Sequence, residues 1–165
     1  MGILVPSISS AVDLINLVSL RSGLPISLVS LDRLGVRLSL RVGLPGERFV
    51  FNRTGQELDV EGLLCICVAG TSGSEPVGSP VKDSMRAKVT DQDSHLLACI
   101  YASTEAVHRD EFNDWAEELV QGFRRFGKDA ESAMDEVLPA QFGDASGDLP
   151  GVESVAGVRV RDEPV

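Results

Sequence analysis

Val36-Arg37-Leu38-Ser39-Leu40-Arg41-Val42 alternates apolar and polar residues without interruption. Neighbouring strand side chains point to opposite faces, so Val36, Leu38, Leu40 and Val42 share one side while Arg37, Ser39 and Arg41 share the other. That period predicts an antiparallel strand with one packed and one wet face. On its C-terminal side Leu44-Pro45-Gly46-Glu47 reads as a turn, Arg48 to Phe51 as a returning strand, and Asn52-Arg53-Thr54-Gly55 as a second turn. Leu63 to Ala69 is apolar on both faces, as expected of a central strand covered on each side.

Further out, the period changes. Ala11, Leu14, Ile15 and Val18 fall at helical spacing behind a cap signal at Ser10 and Asp13, and Arg21, Gly23 and Pro25 end the segment. Phe112, Trp115, Ala116, Leu119, Val120 and Phe123 form a complete amphipathic stripe. Acids at its start (Asp110, Glu111, Asp114) and Arg124, Arg125 and Gly127 at its end suit the helix dipole and the stop. Between these helices, Gly70 to Ser84 holds four serines, three glycines and two prolines and reads as a flexible loop. Met85, Ala87 and Val89 alternate with Arg86 and Lys88, and with Leu96 to Ala102 they predict a second hairpin.

These elements give an α+β fold: an antiparallel sheet of about five strands flanked by an N-terminal and a C-terminal helix, a two-layer sandwich. Residues 1–138 read as one domain, with 70–84 as its loop and a shorter helix carrying Ala130, Met134 and Val137 near its end. Residues 139–165 read as an acidic, Gly/Pro-containing tail, in which Val158-Arg159-Val160-Arg161 is a candidate edge strand.

Charge narrows the partners. The chain of 165 residues carries a formal net charge of −10, and residues 105–165 hold 15 acids against 6 bases. Such a field repels phosphate backbones and anionic membranes, which leaves protein as the expected partner. No apolar run reaches membrane-spanning length, no basic start marks a secretory signal, and Pro6 spoils a myristoylation reading of Met1-Gly2. A cytoplasmic setting with reduced thiols is the expectation, given three cysteines in apolar surroundings.

The reactive residues do not assemble into a recognised motif. Cys65 and Cys67 share one side of a strand, and Cys99 could lie on a neighbouring one, but the spacing is not that of ordinary zinc sites. His95 and His108 lack a partner at fixed spacing. Gly70-Thr71-Ser72-Gly73-Ser74 misses the nucleophile-elbow pattern by one place. Asp110, Asp114, Glu117 and Glu118 fit the solvated face of an amphipathic helix. No cofactor and no catalytic or metal-binding set is expected. The candidate partner-binding residues are the apolar helix faces, Leu14, Ile15 and Val18 with Phe112, Trp115, Leu119 and Phe123, and the cationic strand face of Arg37 and Arg41, where Arg33 and Arg48 could contribute. The stripe of the 112–123 helix exceeds what one sheet face needs, so part of it, or of the N-terminal helix, is expected between subunits.

The order of elements from Ser10 to Phe126 resembles the class I chaperones of type III secretion. The likeness is most visible in the capped helix ending Arg21-Ser22-Gly23-Leu24-Pro25 and in Leu31-Asp32-Arg33-Leu34-Gly35-Val36. It implies a homodimer whose apolar patches hold the N-terminal segment of another polypeptide for export. Where those chaperones place a helix between the third and fourth strands, this chain has the Gly70 to Ser84 stretch. A roadblock or longin-like scaffold subunit is the second expectation, and a small enzyme using Cys65, Cys67 or His108 the third.

Overall fold

The computed structural model describes residues 9–70, 73–103, 107–125, 129–131 and 154–161. In chain order its elements are α1 (Ser10–Ser22), β1 (Ile26–Ser30), a single turn α2 (Leu31–Leu34), β2 (Leu38–Val42), β3 (Arg48–Val50) and β4 (Glu57–Asp59). They continue with β5 (Leu64–Gly70), β6 (Gly73–Gly78), β7 (His95–Ala102), α3 (Arg109–Arg125), β8 (Asp129–Glu131) and β9 (Ser154–Arg161). The fold is α+β with antiparallel sheets and a helix toward each end, as the periodicities predict. The described strands number nine rather than five, and they divide into sheets ordered β1-β7-β9-β8, β2-β5-β6 and β3-β4.

The helices form where caps and apolar spacing coincide. Ser9, one place before the expected cap, accepts a hydrogen bond from the Val12 amide at 3.3 Å. Gly23 ends α1 in the left-handed conformation (φ 72°) that a side chain would disfavour, and its amide bonds the Ser19 carbonyl. α3 buries Phe112, Ala116, Leu119, Val120 and Phe123. The backbone of Gly122 runs so close to Leu14 that a Cβ there would stand 2.5 Å from one of its methyls. Arg21 reaches Glu118 one turn back along α3, so the two helices run antiparallel, side by side.

Both helices pack on one face of the four-stranded sheet, against Leu28, Leu96, Ala98 and Ile100. The alternate residues Val29, Leu97, Cys99 and Tyr101 face the other way, onto Ile66, Val68 and Val77 of the second sheet. The far side of that second sheet packs Cys65 and Cys67 against Phe49 and Val60 of the β3–β4 region. The helix-on-sheet pair is therefore backed by a further sheet, which is why β5 is apolar on both faces.

Five expectations change. Gly73–Gly78 lies in the stretch read as a flexible loop, yet forms β6, antiparallel to β5 with a register shift at Ile66/Cys67. Met85 to Val89 is not a strand: both edges of β7 are filled, by β1 and by β9. The Met85 amide bonds the Val50 carbonyl instead, and the Ala87 carbonyl accepts from Ser30. β3 pairs with β4 rather than with β2, because the chain leaves the sheet at Gly43, whose Cβ position would lie 1.9 Å from the Val60 carbonyl oxygen. Val158 to Arg161 belongs to β9, which sits inside the sheet between β7 and β8 rather than at its edge. Ala130 lies in β8, not in a helix, while Met134, Val137 and most of 139–165 fall outside the described residues.

Candidate functional site

The expected partner-binding residues separate by environment. Leu14, Ile15, Val18, Phe112, Leu119 and Phe123 are buried in the core that α1, α3 and the first sheet share. They are corrected to core positions: the apolar surplus on α3 is taken up by α1 within the same chain. Trp115 stays half-buried beside them, with the Arg21 guanidinium 5.6 Å from its ring centroid and its indole Nε1 without a hydrogen-bond partner among the described residues. What α1 leaves open is Leu17, 52% exposed, and Leu20, 71% exposed, three residues apart on its outer side.

The cationic strand face is likewise divided. Arg41 is tied down by a two-pronged pair with Glu47, at 2.7 Å on each prong, and by Ser74. Its hydrogen bonds hold the Glu47 carboxyl below its ordinary range. Arg37 is exposed next to Val36, which is 71% exposed, at the start of the edge strand β2. Arg33 leans on Asp93 at 3.4 Å, and Arg48 on Glu57 and Asp59 across the β3–β4 hairpin.

The three thiols do not converge. Cys65 and Cys67 lie on one side of the second sheet and Cys99 between the sheets. Burial pushes Cys65 up to about 12, Cys67 to about 11 and Cys99 to about 12, so all three are protonated at neutral pH, the opposite of an activated nucleophile. Among the described residues no three His, Cys, Asp or Glu side chains are grouped to hold a metal ion. His95 stands exposed with Nδ1 2.8 Å from Asp32 Oδ1, and Asp32 also accepts from the His95 and Ser94 amides. These bonds, the His95 amide first, hold the Asp32 carboxyl below its usual range and fix the start of β7. His108 accepts the Phe112 amide through its carbonyl at the start of α3, a backbone capping role.

One concave feature escaped the sequence reading. A cleft of about 590 Å³ opens on the flank of α1 opposite α3, between α1, β1, Phe51-Asn52 and the 82–89 segment. Lys82 and Lys88 lie on its wall, and the Lys82 ammonium sits 4.5 Å from the centroid of Phe51. Asp83 lies between them in sequence, inside a polar knot with Ser27 and Tyr101, whose hydroxyls are 3.2 Å apart. Burial pushes Asp83 up to about 6, against the pull of the Ser27 hydroxyl, the Leu28 amide and Lys88. Its Oδ1 is buried without a partner among the described residues and turns toward Gly78, 2.8 Å from where a Cβ on that glycine would stand. No periodicity marks these residues, because they come from a helix, a turn and a loop far apart in sequence.

No protein-family model matches the chain, and no curated protein or solved structure is similar enough to match it. Among the described residues no helix is long and apolar enough to cross a membrane.

Proposed function

We propose that the chain is a protein-binding module that docks through the outer face of α1, with a homodimer of the secretion-chaperone kind as its specific form. The observation that carries this reading is the pair Leu17 and Leu20, 52% and 71% exposed on the outer side of α1. Isolated surface leucines are ordinary, but two exposed on adjacent turns of one helix face make an apolar strip of the kind that interfaces bury. The protonated, buried thiols favour binding over catalysis in the same way.

Light scattering of the full chain at micromolar concentration tests the homodimer. A dimer that becomes a folded monomer in Leu17→Glu/Leu20→Glu supports it; a wild-type monomer defeats it. Co-purification from the native source tests the wider reading: a polypeptide recovered with the wild type and lost with the double variant supports docking here, and equal recovery by both places docking elsewhere.

A second reading rests on β2, which is an edge strand flanked by the exposed Val36 and Arg37. Scaffold subunits of the roadblock or longin kind pair through strand edges, and an open edge offers unpaired backbone groups to such a partner. A partner held there is lost in Val36→Glu/Arg37→Glu and kept in the α1 variant.

A further inference from the structure

The cleft beside α1 has a chemistry that the docking reading does not use. Its floor is aliphatic: Val12 and Ile15 from α1, Ile26 and Leu28 from β1, and Val89. Its size falls within the range of small-ligand sites. The chain has only three lysines, and two of them, Lys82 and Lys88, stand on this one wall.

Among the described residues neither lysine is paired with a carboxylate within ion-pair distance, although the acids outnumber the bases by 25 to 15 and Arg21, Arg33, Arg41, Arg48 and Arg86 have each found one. Lys88 feels the charge of Asp83, which also lines the cleft, with its unpartnered oxygen turned toward Gly78. A chain with this net charge repels anions in general, so two cations left over an apolar floor form a local exception.

We propose that this cleft binds a single-chain aliphatic carboxylate, its tail on the floor between α1 and β1 and its head group on Lys82 and Lys88. The wall chemistry selects the class. The one ring present, Phe51, already carries the Lys82 ammonium on its face, which leaves branched aliphatic surface for the rest of the ligand. Ammonium groups on flexible stems act as point charges and suit a carboxylate that arrives on a mobile chain. Asn16, on the cleft lining, can donate to the same head group.

Calorimetric titration of the full chain with decanoate, below its micelle concentration and at neutral pH, tests the assignment. The expected result is one saturable site, weakened by about tenfold or more in Lys82→Gln/Lys88→Gln and for the uncharged analogue decanol. Asn16→Phe, which keeps both charges but fills the cleft from the exposed side of α1, abolishes it, whereas Leu17→Glu/Leu20→Glu leaves it unchanged. Circular dichroism confirms that each variant keeps its fold. Absence of saturable decanoate binding overturns the proposal, as does equal binding by decanol or by the lysine variant. Binding lost in the Leu17/Leu20 variant but kept in Asn16→Phe moves the ligand onto the outer face of α1 and overturns it as well.

Discussion

At the scale of single residues, Asp83 is the costliest group in the described structure. A carboxyl pushed up to about 6 from an ordinary value of 3.8 is worth less ionised in the fold than in water. The difference corresponds to a penalty on the order of 1 to 3 kcal/mol at neutral pH. Asp83→Asn keeps the shape and removes the charge, so chemical denaturation at pH 7 is expected to show a gain of that order; a loss would mean that the ionised carboxylate makes a contact worth more than its burial costs. Gly43 is the converse case. Its missing side chain lets the Val60 carbonyl pass at a distance no Cβ tolerates, and backbone cannot step aside as a side-chain tip can. Gly43→Ala is expected to destabilise by roughly 2 kcal/mol or more, read as a lower denaturation midpoint. Neither residue was legible in the sequence. Asp83 sits in a Ser/Gly/Pro stretch that reads as a flexible loop, and Gly43 falls between the predicted strand and the predicted turn; both depend on contacts with chain that is distant or folds back.

At the scale of elements, legibility followed local period. α1, α3 and β5 were visible because apolar spacing, caps and charge placement agree over more than one turn or across both strand faces. β6 was hidden by Gly73, Pro76 and Gly78, which deny it strand propensity. It forms because β5 offers an edge, and because Gly78 admits Asp83 where a larger residue would collide. The same spacing that revealed the helices misdirected the candidate site. A stripe wider than one sheet face can be satisfied by a second subunit or by another helix of the same chain, and period alone does not distinguish them. Here α1 covers α3. The two classes of leucine should accordingly separate by mutation. Leu119, fully buried, is expected to cost about 2 to 5 kcal/mol on change to alanine. Leu20→Ala, on the open side of α1, is expected within about 0.5 kcal/mol of wild type when the chain is diluted to a monomer. Trp115, the only tryptophan, reports both from between the helices by its fluorescence. Equal costs at Leu20 and Leu119 would mean that the outer face of α1 is covered even in the monomer.

At the scale of the whole molecule, the shifted carboxyls oppose one another and set a pH optimum. Hydrogen bonds hold Asp32 and Glu47 low, and at Asp93 those from Ser30 and Thr90 outweigh the upward push of burial, so all three protonate less readily in the fold than in the unfolded chain. Their contribution is complete above the ordinary carboxylate range and is lost as pH falls through it and below. Asp83 runs the other way. Between its ordinary 3.8 and about 6 the folded state holds a proton that the unfolded chain has released, so stability falls as pH rises through that window and levels off above it. Net negative charge adds to the same slope, since self-repulsion grows as further carboxyls ionise. Unfolding midpoints measured from pH 3 to 8 should therefore peak between about 4 and 6 rather than at neutrality. Asp83→Asn should flatten the neutral side while leaving the acid side in place, and Glu47→Gln should do the reverse. A wild-type profile that climbs steadily to pH 8 would show that Asp83 is ionised in the fold with a partner, and would remove the buried, uncompensated carboxyl from the account of this protein.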